Sequence, residues 1–190
     1  MNLRIKVIAY LSRAGNFLKS FLSFTFEKNI HMNLTFRTTP EQSDIKRIRE
    51  IVESTGFFYD FETDIAAELV EERLKGGEST GYHFVFAEVD GVTVAYSNFG
   101  HIDMTKSCWD LYWIVTHNDF RGKGIGKKLL EETYREAKKM GCTKIIAETS
   151  GREHYKPTQA FYISAGCLLE ATIADYYDIG DDKLIYTKYL

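Results

Sequence analysis

One stretch, residues 109–149, most constrains the fold of this chain, because it requires two parallel strands. "WDLYWIVT" (residues 109–116) and "KIIAET" (residues 144–149) have the β-branched and aromatic residues of strands. Between them, residues 124–140 carry apolar side chains at helical spacing. A strand, a helix and a strand with short connections form a right-handed crossover, so the two strands are parallel neighbours. The stretch therefore predicts an α/β fold.

The flanking segments add further strands and helices to this unit. "YHFVFAEV", the pair Asp90-Gly91 and "VTVAYSNFG" predict a β-hairpin with a two-residue turn. Upstream, Thr39-Pro40-Glu41-Gln42 predicts a capping box for a first helix, and Gly76-Gly77 ends a second. Downstream, residues 157–165 predict a short helix, and "CLLEATI" and "KLIYTKYL" predict two closing strands. The expected architecture is a mixed central β-sheet flanked by about four helices.

The first 31 residues differ from the rest in charge. They carry five basic side chains and one acidic one, which leaves −7 on the remainder of a chain whose net charge is −3. The triplet "MNL" at the start recurs at residues 32–34, just where the folded pattern begins. We expect residues 1–31 to be an extension that is disordered or foreign to the native protein, and residues 32–190 to be the functional domain. A basic amphipathic helix at a membrane surface is the alternative for the extension.

Composition limits the possible partners. A body this acidic argues against nucleic acid and suits an amine or cationic partner. Three widely spaced cysteines without a C-x-x-C pair indicate reduced thiols in a cytoplasmic protein, and no metal site is expected. Because no run reaches about eighteen apolar residues, a membrane partner is not expected either.

Residues 121–127, "RGKGIGK", place three glycines in five residues before the long helix. The spacing fits neither the dinucleotide motif G-x-G-x-x-G nor the Walker motif. The remaining pattern, R-x-x-G-x-G, directs backbone N–H groups and the positive end of a helix at one place, which favours an anion. The missing side chains leave room for pyrophosphate oxygens, while Arg121, Lys123 and Lys127 can add positive charge. An ordinary glycine-rich turn with solvated cations is the alternative.

The order of strand, glycine loop, helix, strand and "AFYISAG" (residues 160–166) resembles the GNAT superfamily of acetyl-CoA-dependent N-acetyltransferases over residues 34–190. The resemblance implies a GNAT-like fold and acetyl-CoA as co-substrate. It also implies that the strand before the loop is splayed from its parallel neighbour and binds the pantetheine arm through free backbone groups. The coenzyme-binding residues expected on this basis are Ile114, Val115, Thr116, Arg121, Gly122, Lys123, Gly124, Ile125, Gly126 and Lys127.

The same resemblance suggests catalytic residues. Tyr162 matches the tyrosine that commonly acts as general acid near the thioester sulfur, and Asp110 lies where one branch carries its general base. Glu148 is a second candidate base. In the alternative interpretation, Tyr162 only packs its helix on the sheet and Asp110 is a solvated carboxylate at a strand end.

The expected function is acetyl transfer to a primary amine of a small molecule or of a peptide or protein terminus. A non-catalytic module that senses acyl-CoA is the alternative function. The aromatic segment Phe57, Phe58, Tyr59 and Phe61 is expected to be core or to line the acceptor site. The acidic run from Asp175 to Asp182, which is interleaved with Tyr176 and Tyr177, is expected to be a solvated loop. A loop that helps to attract a cationic acceptor is the alternative. A homodimer is left open.

Overall fold

The computed structural model describes residues 32–190, and the expectations for residues 1–31 lie outside the described residues. The strands are β1 (Leu34–Arg37), β2 (His83–Val89), β3 (Val92–His101), β4 (Cys108–Thr116), β5 (Lys144–Ser150), β6 (Leu168–Asp178) and β7 (Asp181–Tyr189). The helices are α1 (Gln42–Thr55), α2 (Asp60–Gly76), α3 (Ile125–Lys139) and α4 (Lys156–Ser164). The strand order is β1-β2-β3-β4-β5-β7-β6. This mixed sheet with four helices confirms the predicted fold class.

The helices cover both faces of the sheet. Tyr96 of β3 belongs to a buried apolar cluster with Ile48 of α1 and Val70 of α2. The next residue, Ser97, points to the opposite face because side chains alternate along a strand. Its hydroxyl lies 2.7 Å from that of Thr133 on α3. The helices α1 and α2 therefore pack on one face, and α3 packs on the other.

The central crossover has the predicted arrangement. Strands β4 and β5 pair in parallel from Cys108 opposite Lys144 to Leu111 opposite Ala147, with α3 between them in the chain. The β2–β3 hairpin also turns at Asp90 and Gly91, which both have positive φ. Both elements were predicted because their signals are local: a two-residue turn and an amphipathic helix ended by a glycine.

The start of α1 differs from the prediction. The helix begins at Gln42, and the capping box joins Glu41 to Asp44 instead of starting at Thr39. The Asp44 carboxylate accepts the Glu41 amide at 2.7 Å and the Arg37 guanidinium at 2.9 Å. Because Asp44 is buried, its pairing with a cation on β1 fixes where the helix can begin.

The acidic run near the C-terminus is not the solvated loop that was expected. Asp175 and Asp178 belong to β6, and Asp181 belongs to β7. Asp181 is buried, accepts the Ser150 hydroxyl at 2.5 Å and pairs with Arg152 at 2.8 Å. Its negative charge is thus compensated inside the fold, which the spacing of charges along the chain does not show.

Candidate active site

A cleft opens in the middle of the sheet because β4 and β5 separate. Their pairing ends at Leu111 and Ala147, beyond which residues 113–116 pair with β3 alone and residues 148–150 with β7 alone. A β-bulge places the extra residue Tyr112 at the point of separation. The free edge of β4 faces a cavity of about 900 Å³, a volume in the range of ligand sites.

The glycine loop lies at one end of this cavity. Gly122 and Gly124 have φ of 73° and 78°, the left-handed region in which glycine is favoured. The first hydrogen bond of α3 runs from the Lys128 amide to the Gly124 carbonyl at 3.2 Å. The amides of the three residues before Lys128 therefore precede the hydrogen-bond ladder of the helix and are available to an anion.

Gly126 is not explained by packing within the protein. A Cβ built there would lie 3.4 Å from the Thr116 hydroxyl oxygen and 3.6 Å from the Phe161 ring, which are ordinary contacts. All three of these residues line the cavity. The fold would accept alanine at this position, so the absence of a side chain serves the cavity itself.

Positive charge collects at this end of the cavity. Arg121 and Lys127 line it, and the first turn of α3 contains no acidic residue. Cations at the positive end of a helix are unfavourable unless an anion binds between them. Lys123 is the exception among the predicted cations, because its ammonium donates to the Asp119 carbonyl at 2.8 Å and lies over the Phe120 ring.

Tyr162 lies on α4 beside this region. It is nearly buried, and its ring packs 5.4 Å from that of Tyr186 on β7, but it also lines the cavity. Burial raises the pKa of the Tyr162 hydroxyl well above its ordinary value, with a smaller contribution from the Cys167 thiol. The hydroxyl therefore stays protonated at any physiological pH and can donate a hydrogen bond into the cleft.

Two carboxyl groups lie where β4 and β5 diverge. Glu148 lines the cavity and forms a salt bridge with Lys183 of β7. Asp110 does not line the cavity but is close enough to interact with Glu148. Burial raises the pKa of the Asp110 carboxyl, and the negative charge of Glu148 adds to the rise while Lys183 opposes it. Of the two candidate bases, Glu148 is the one that faces the cavity.

The other end of the cavity is built from distant segments. The aromatic segment lines it through Phe57, Phe58 and Tyr59 of the α1–α2 connection and Phe61 of α2, as the second interpretation of that segment expected. The Phe58 ring lies 5.2 Å from that of Trp113 on β4. This end also carries four carboxylates, from Glu62, Glu148, Asp178 and Asp181.

The Phe57 ring contacts two other segments that border the cleft, the turn before α4 and the glycine loop. Its ring stacks on His154 at 4.0 Å in the turn before α4, and the Arg121 guanidinium lies over the same ring at 5.5 Å. The α1–α2 connection thus reaches both the glycine loop and the start of α4.

Several lining residues were missed by sequence reasoning. Arg152 and Tyr155 follow directly after β5, and Tyr177 lies on β6. The sequence did contain a signal for Arg152 and Tyr155. Residues that follow two parallel strands meet at the same edge of a sheet, so the residues after β5 lie beside the glycine loop, which follows β4. Tyr177 belongs to the acidic run whose alternative interpretation was a loop near a cationic acceptor, and it lines the cavity from the strand pair β6–β7.

Nine of the ten residues expected to bind the coenzyme line the cavity together with Tyr162, whereas Lys123 and Asp110 do not. Within residues 32–190, no three His, Cys, Asp or Glu side chains are grouped so that they could hold a metal ion. In the same part of the chain, no helix is both long and apolar enough to cross a membrane.

Comparisons with known proteins identify the family. The model of the acetyltransferase (GNAT) family matches residues 45–166, and the chain belongs to that family. A structure from Desulfovibrio desulfuricans assigned to the GNAT family is 40% identical over 82% of this chain and 98% of that one, with a TM-score of 0.81. The protein is accordingly an acyltransferase with the GNAT fold. A search of the curated proteins finds no match.

More distant structures share the fold. YncA from Salmonella typhimurium, solved with its cofactor acetyl-CoA, is 22% identical over 83% of this chain and 94% of that one, with a TM-score of 0.65. The ribosomal-protein-S18-alanine N-acetyltransferase from Escherichia coli is 18% identical over 82% of this chain and 93% of that one, with a TM-score of 0.62.

Proposed function

We propose that the protein transfers an acetyl group from acetyl-CoA to a primary amine of a small molecule or of a peptide or protein terminus. One observation carries the proposal: the free edge of β4 in the gap between β4 and β5, Tyr162 of α4 and Glu148 of β5 all line one cavity. Acetyl transfer needs a donor for the oxyanion, a proton for the leaving sulfur and an acceptor for the ammonium proton.

The glycine loop is the proposed site of the coenzyme pyrophosphate. The amides of Ile125, Gly126 and Lys127 and the positive end of α3 would bind its oxygens, with Arg121 and Lys127 adding charge. The free backbone groups of Ile114, Val115 and Thr116 would bind the pantetheine arm, which carries the thioester down the cleft. Gly122 and Gly124 shape the loop, and Lys123 would act only if its side chain leaves Phe120.

The reaction would proceed by direct attack. The neutral amine nitrogen bonds to the thioester carbonyl carbon, and unpaired N–H groups on β4 stabilise the oxyanion. The ammonium proton passes to Glu148, directly or through water, with Asp110, whose pKa burial raises above its ordinary value, as the neighbouring carboxylate. The carbon–sulfur bond then breaks and Tyr162 donates a proton to the sulfur, leaving an amide and free coenzyme A. The proton held by Glu148 then returns to Tyr162 through water, which restores both groups.

Thiol release with acetyl-CoA and a panel of amines tests this proposal, with coenzyme binding measured by calorimetry. Turnover of at least one amine is the expected result, and the absence of both coenzyme binding and turnover would overturn it. Tight coenzyme binding without transfer to any acceptor would instead identify a non-catalytic acyl-CoA sensor.

Tyr162→Phe tests the proposed acid. The maximal rate should fall about 100-fold or more, because general acid catalysis contributes at least that much, while coenzyme affinity stays the same. Tyr134→Phe is the matched control, since the Tyr134 hydroxyl lies 3.1 Å from the Cys167 sulfur and does not line the cavity. Equal rates in the two variants would remove Tyr162 as the acid.

A homodimer and a cytoplasmic location stay predictions. Every residue of the edge strand β6 is exposed, including Leu168, Leu169 and Ile173. Sedimentation of the purified chain would measure its oligomeric state.

A further inference from the structure

The end of the cavity opposite the glycine loop, called the acceptor end below, combines aromatic rings with negative charge. Its walls include six rings from four separate parts of the fold: Phe57, Phe58, Phe61, Trp113, Tyr155 and Tyr177. Rings of this kind supply rigid apolar walls and attract cations through their faces. The apolar body of a ligand and its amine would both be stabilised there.

Positive charge at this end is already compensated. Among the described residues that line it, Arg152 is the cation outside the glycine loop, and its Nε lies 2.8 Å from the Asp181 carboxylate. Glu62, Glu148 and Asp178 line the same region. Lys183, which does not line the cavity, is paired with Glu148. Arg121 lies over the Phe57 ring, but in the proposed complex its charge is taken up by the pyrophosphate. Among the described residues that line this end, an acidic group on the acceptor would therefore meet carboxylates and no unpaired cation.

The position of the reaction sharpens this charge argument. The acceptor nitrogen must come close to Glu148, where β4 and β5 diverge. In an α-amino acid the carboxylate is two bonds from that nitrogen, so it would lie close to Glu148 and Asp110. Glu148 and Asp110 are two carboxylates beside the single cation Lys183, so a third carboxylate is repelled on balance. We expect this repulsion to be worth about tenfold in rate.

The opening of the cleft also limits the shape of the acceptor. Phe57 contacts His154 on one wall, and Arg121 lies over its ring from the other. The chain of an extended peptide would have to pass beside this ring, whereas a compact molecule would not.

We infer that the acceptor is a small primary amine on an aromatic or apolar body, without an acidic group beside the amine. This inference rests on the proposed acetyl transfer and narrows it to one class of acceptor. It places amino acids, polar amines and peptide termini among the poorer acceptors.

The test compares matched acceptors at saturating acetyl-CoA, with thiol release and mass spectrometry of the product. Phenylethylamine should exceed phenylalanine in kcat/KM by at least about tenfold. Phenylalaninamide, which keeps the bulk but not the charge, should recover most of that difference. Ethanolamine and a peptide beginning with phenylalanine should both be poorer acceptors than phenylethylamine.

Each reversed result has a defined meaning. The inference would be overturned if phenylalanine had the same kcat/KM as phenylethylamine, or if phenylalaninamide had one as low as that of phenylalanine. It would also be overturned if the peptide or ethanolamine had a higher kcat/KM than phenylethylamine. In each case the proposed acetyl transfer would still stand. No turnover of any acceptor would overturn the inference as well. Calorimetry of coenzyme binding then decides whether the proposed function fails with it, because a chain that binds no coenzyme A cannot be the transferase proposed.

A charge variant tests the cause of the discrimination. Glu62 lines the cavity on α2, whereas Glu68 on the same helix is exposed elsewhere. Glu62→Gln should reduce the preference for phenylethylamine over phenylalanine about threefold or more, since one of the repelling charges is removed. Glu68→Gln should leave it unchanged. The same ratio in both variants would overturn the charge argument.

Discussion

The two ends of the cleft are built in different ways. The end proposed for the coenzyme comes from one stretch, residues 114–127, and offers main-chain groups, a helix end and the cations Arg121 and Lys127. The end proposed for the acceptor comes from the α1–α2 connection, the start of α2, β4, β5, the turn before α4 and the β6–β7 pair, and offers rings and carboxylates. One end is thus specified by backbone geometry and positive charge, and the other by side-chain identity and negative charge. Changes at one end should leave binding at the other intact.

The largest expected effect is at the acceptor end. Glu148→Gln should lower kcat/KM for the amine about 100-fold, because the carboxylate facing the cavity can no longer take the ammonium proton. Coenzyme affinity should stay within about twofold of the parent, well under the 1.4 kcal/mol of a tenfold change. Initial rates and calorimetry check the two quantities.

Glu170→Gln is the matched control for Glu148→Gln. Glu170 also pairs with a lysine, Lys144, but lies on exposed β6 away from the cavity. An unchanged rate in Glu148→Gln would assign the proton to Asp110 or to water. A loss of coenzyme affinity would show that the two ends are not independent.

The next effect is at the coenzyme end. Gly126→Ala should weaken coenzyme A binding about tenfold, because the methyl group enters the space left for the pyrophosphate. The free energy of unfolding should rise by up to about 1 kcal/mol, since alanine favours the helix over glycine. Calorimetry and urea unfolding measure these opposite changes.

The control for Gly126→Ala lies on the same helix. Glu131 is exposed on α3 and does not line the cavity, so Glu131→Ala should leave coenzyme binding unchanged. If Gly126→Ala lost stability and affinity together, the glycine would serve packing, and the assignment of the loop would weaken.

The same difference between the ends explains what the sequence could predict. The crossover, the glycine loop and Tyr162 lie in contiguous segments whose local pattern defines their geometry, and the structure brings them together. Tyr177 and Glu148 are separated in sequence and line the same cavity only through the order of strands β5, β7 and β6. Buried pairing is equally invisible in a linear pattern, which is why Asp181 was expected in a solvated loop.

Phe57 tests whether the two ends of the cleft are independent, because its ring contacts the turn before α4 and also Arg121 of the glycine loop. Phe57→Ala should raise the KM of the amine and weaken coenzyme binding, each about threefold to tenfold, since an aromatic contact contributes about 0.5–1.5 kcal/mol. Phe61→Ala, which removes a ring of the acceptor end alone, should change the KM of the amine only. Equal effects of the two variants on the coenzyme would rule out coupling through Phe57.

The smallest expected effect concerns Asp110. A variant at this position tests the negative charge of the acceptor end without any ligand, and so tests the difference in charge between the two ends of the cleft. Burial and the charge of Glu148 raise the pKa of Asp110 in the folded protein, so the folded state binds its proton more tightly than the unfolded state. Stability therefore falls as pH rises from the ordinary carboxyl value through the raised one.

Asp110→Asn removes this charge and should stabilise the fold at pH 7. The gain in the free energy of unfolding should be under about 1 kcal/mol, because Asp110 is only partly buried. The gain should disappear near about pH 3, where the Asp110 carboxyl is mostly neutral in the folded and the unfolded protein alike. Urea unfolding at both values measures it, with the exposed Asp103→Asn as control. A loss of stability at pH 7 would mean that Lys183 outweighs burial and Glu148 at this position, and that the acceptor end carries less negative charge than its carboxylates suggest.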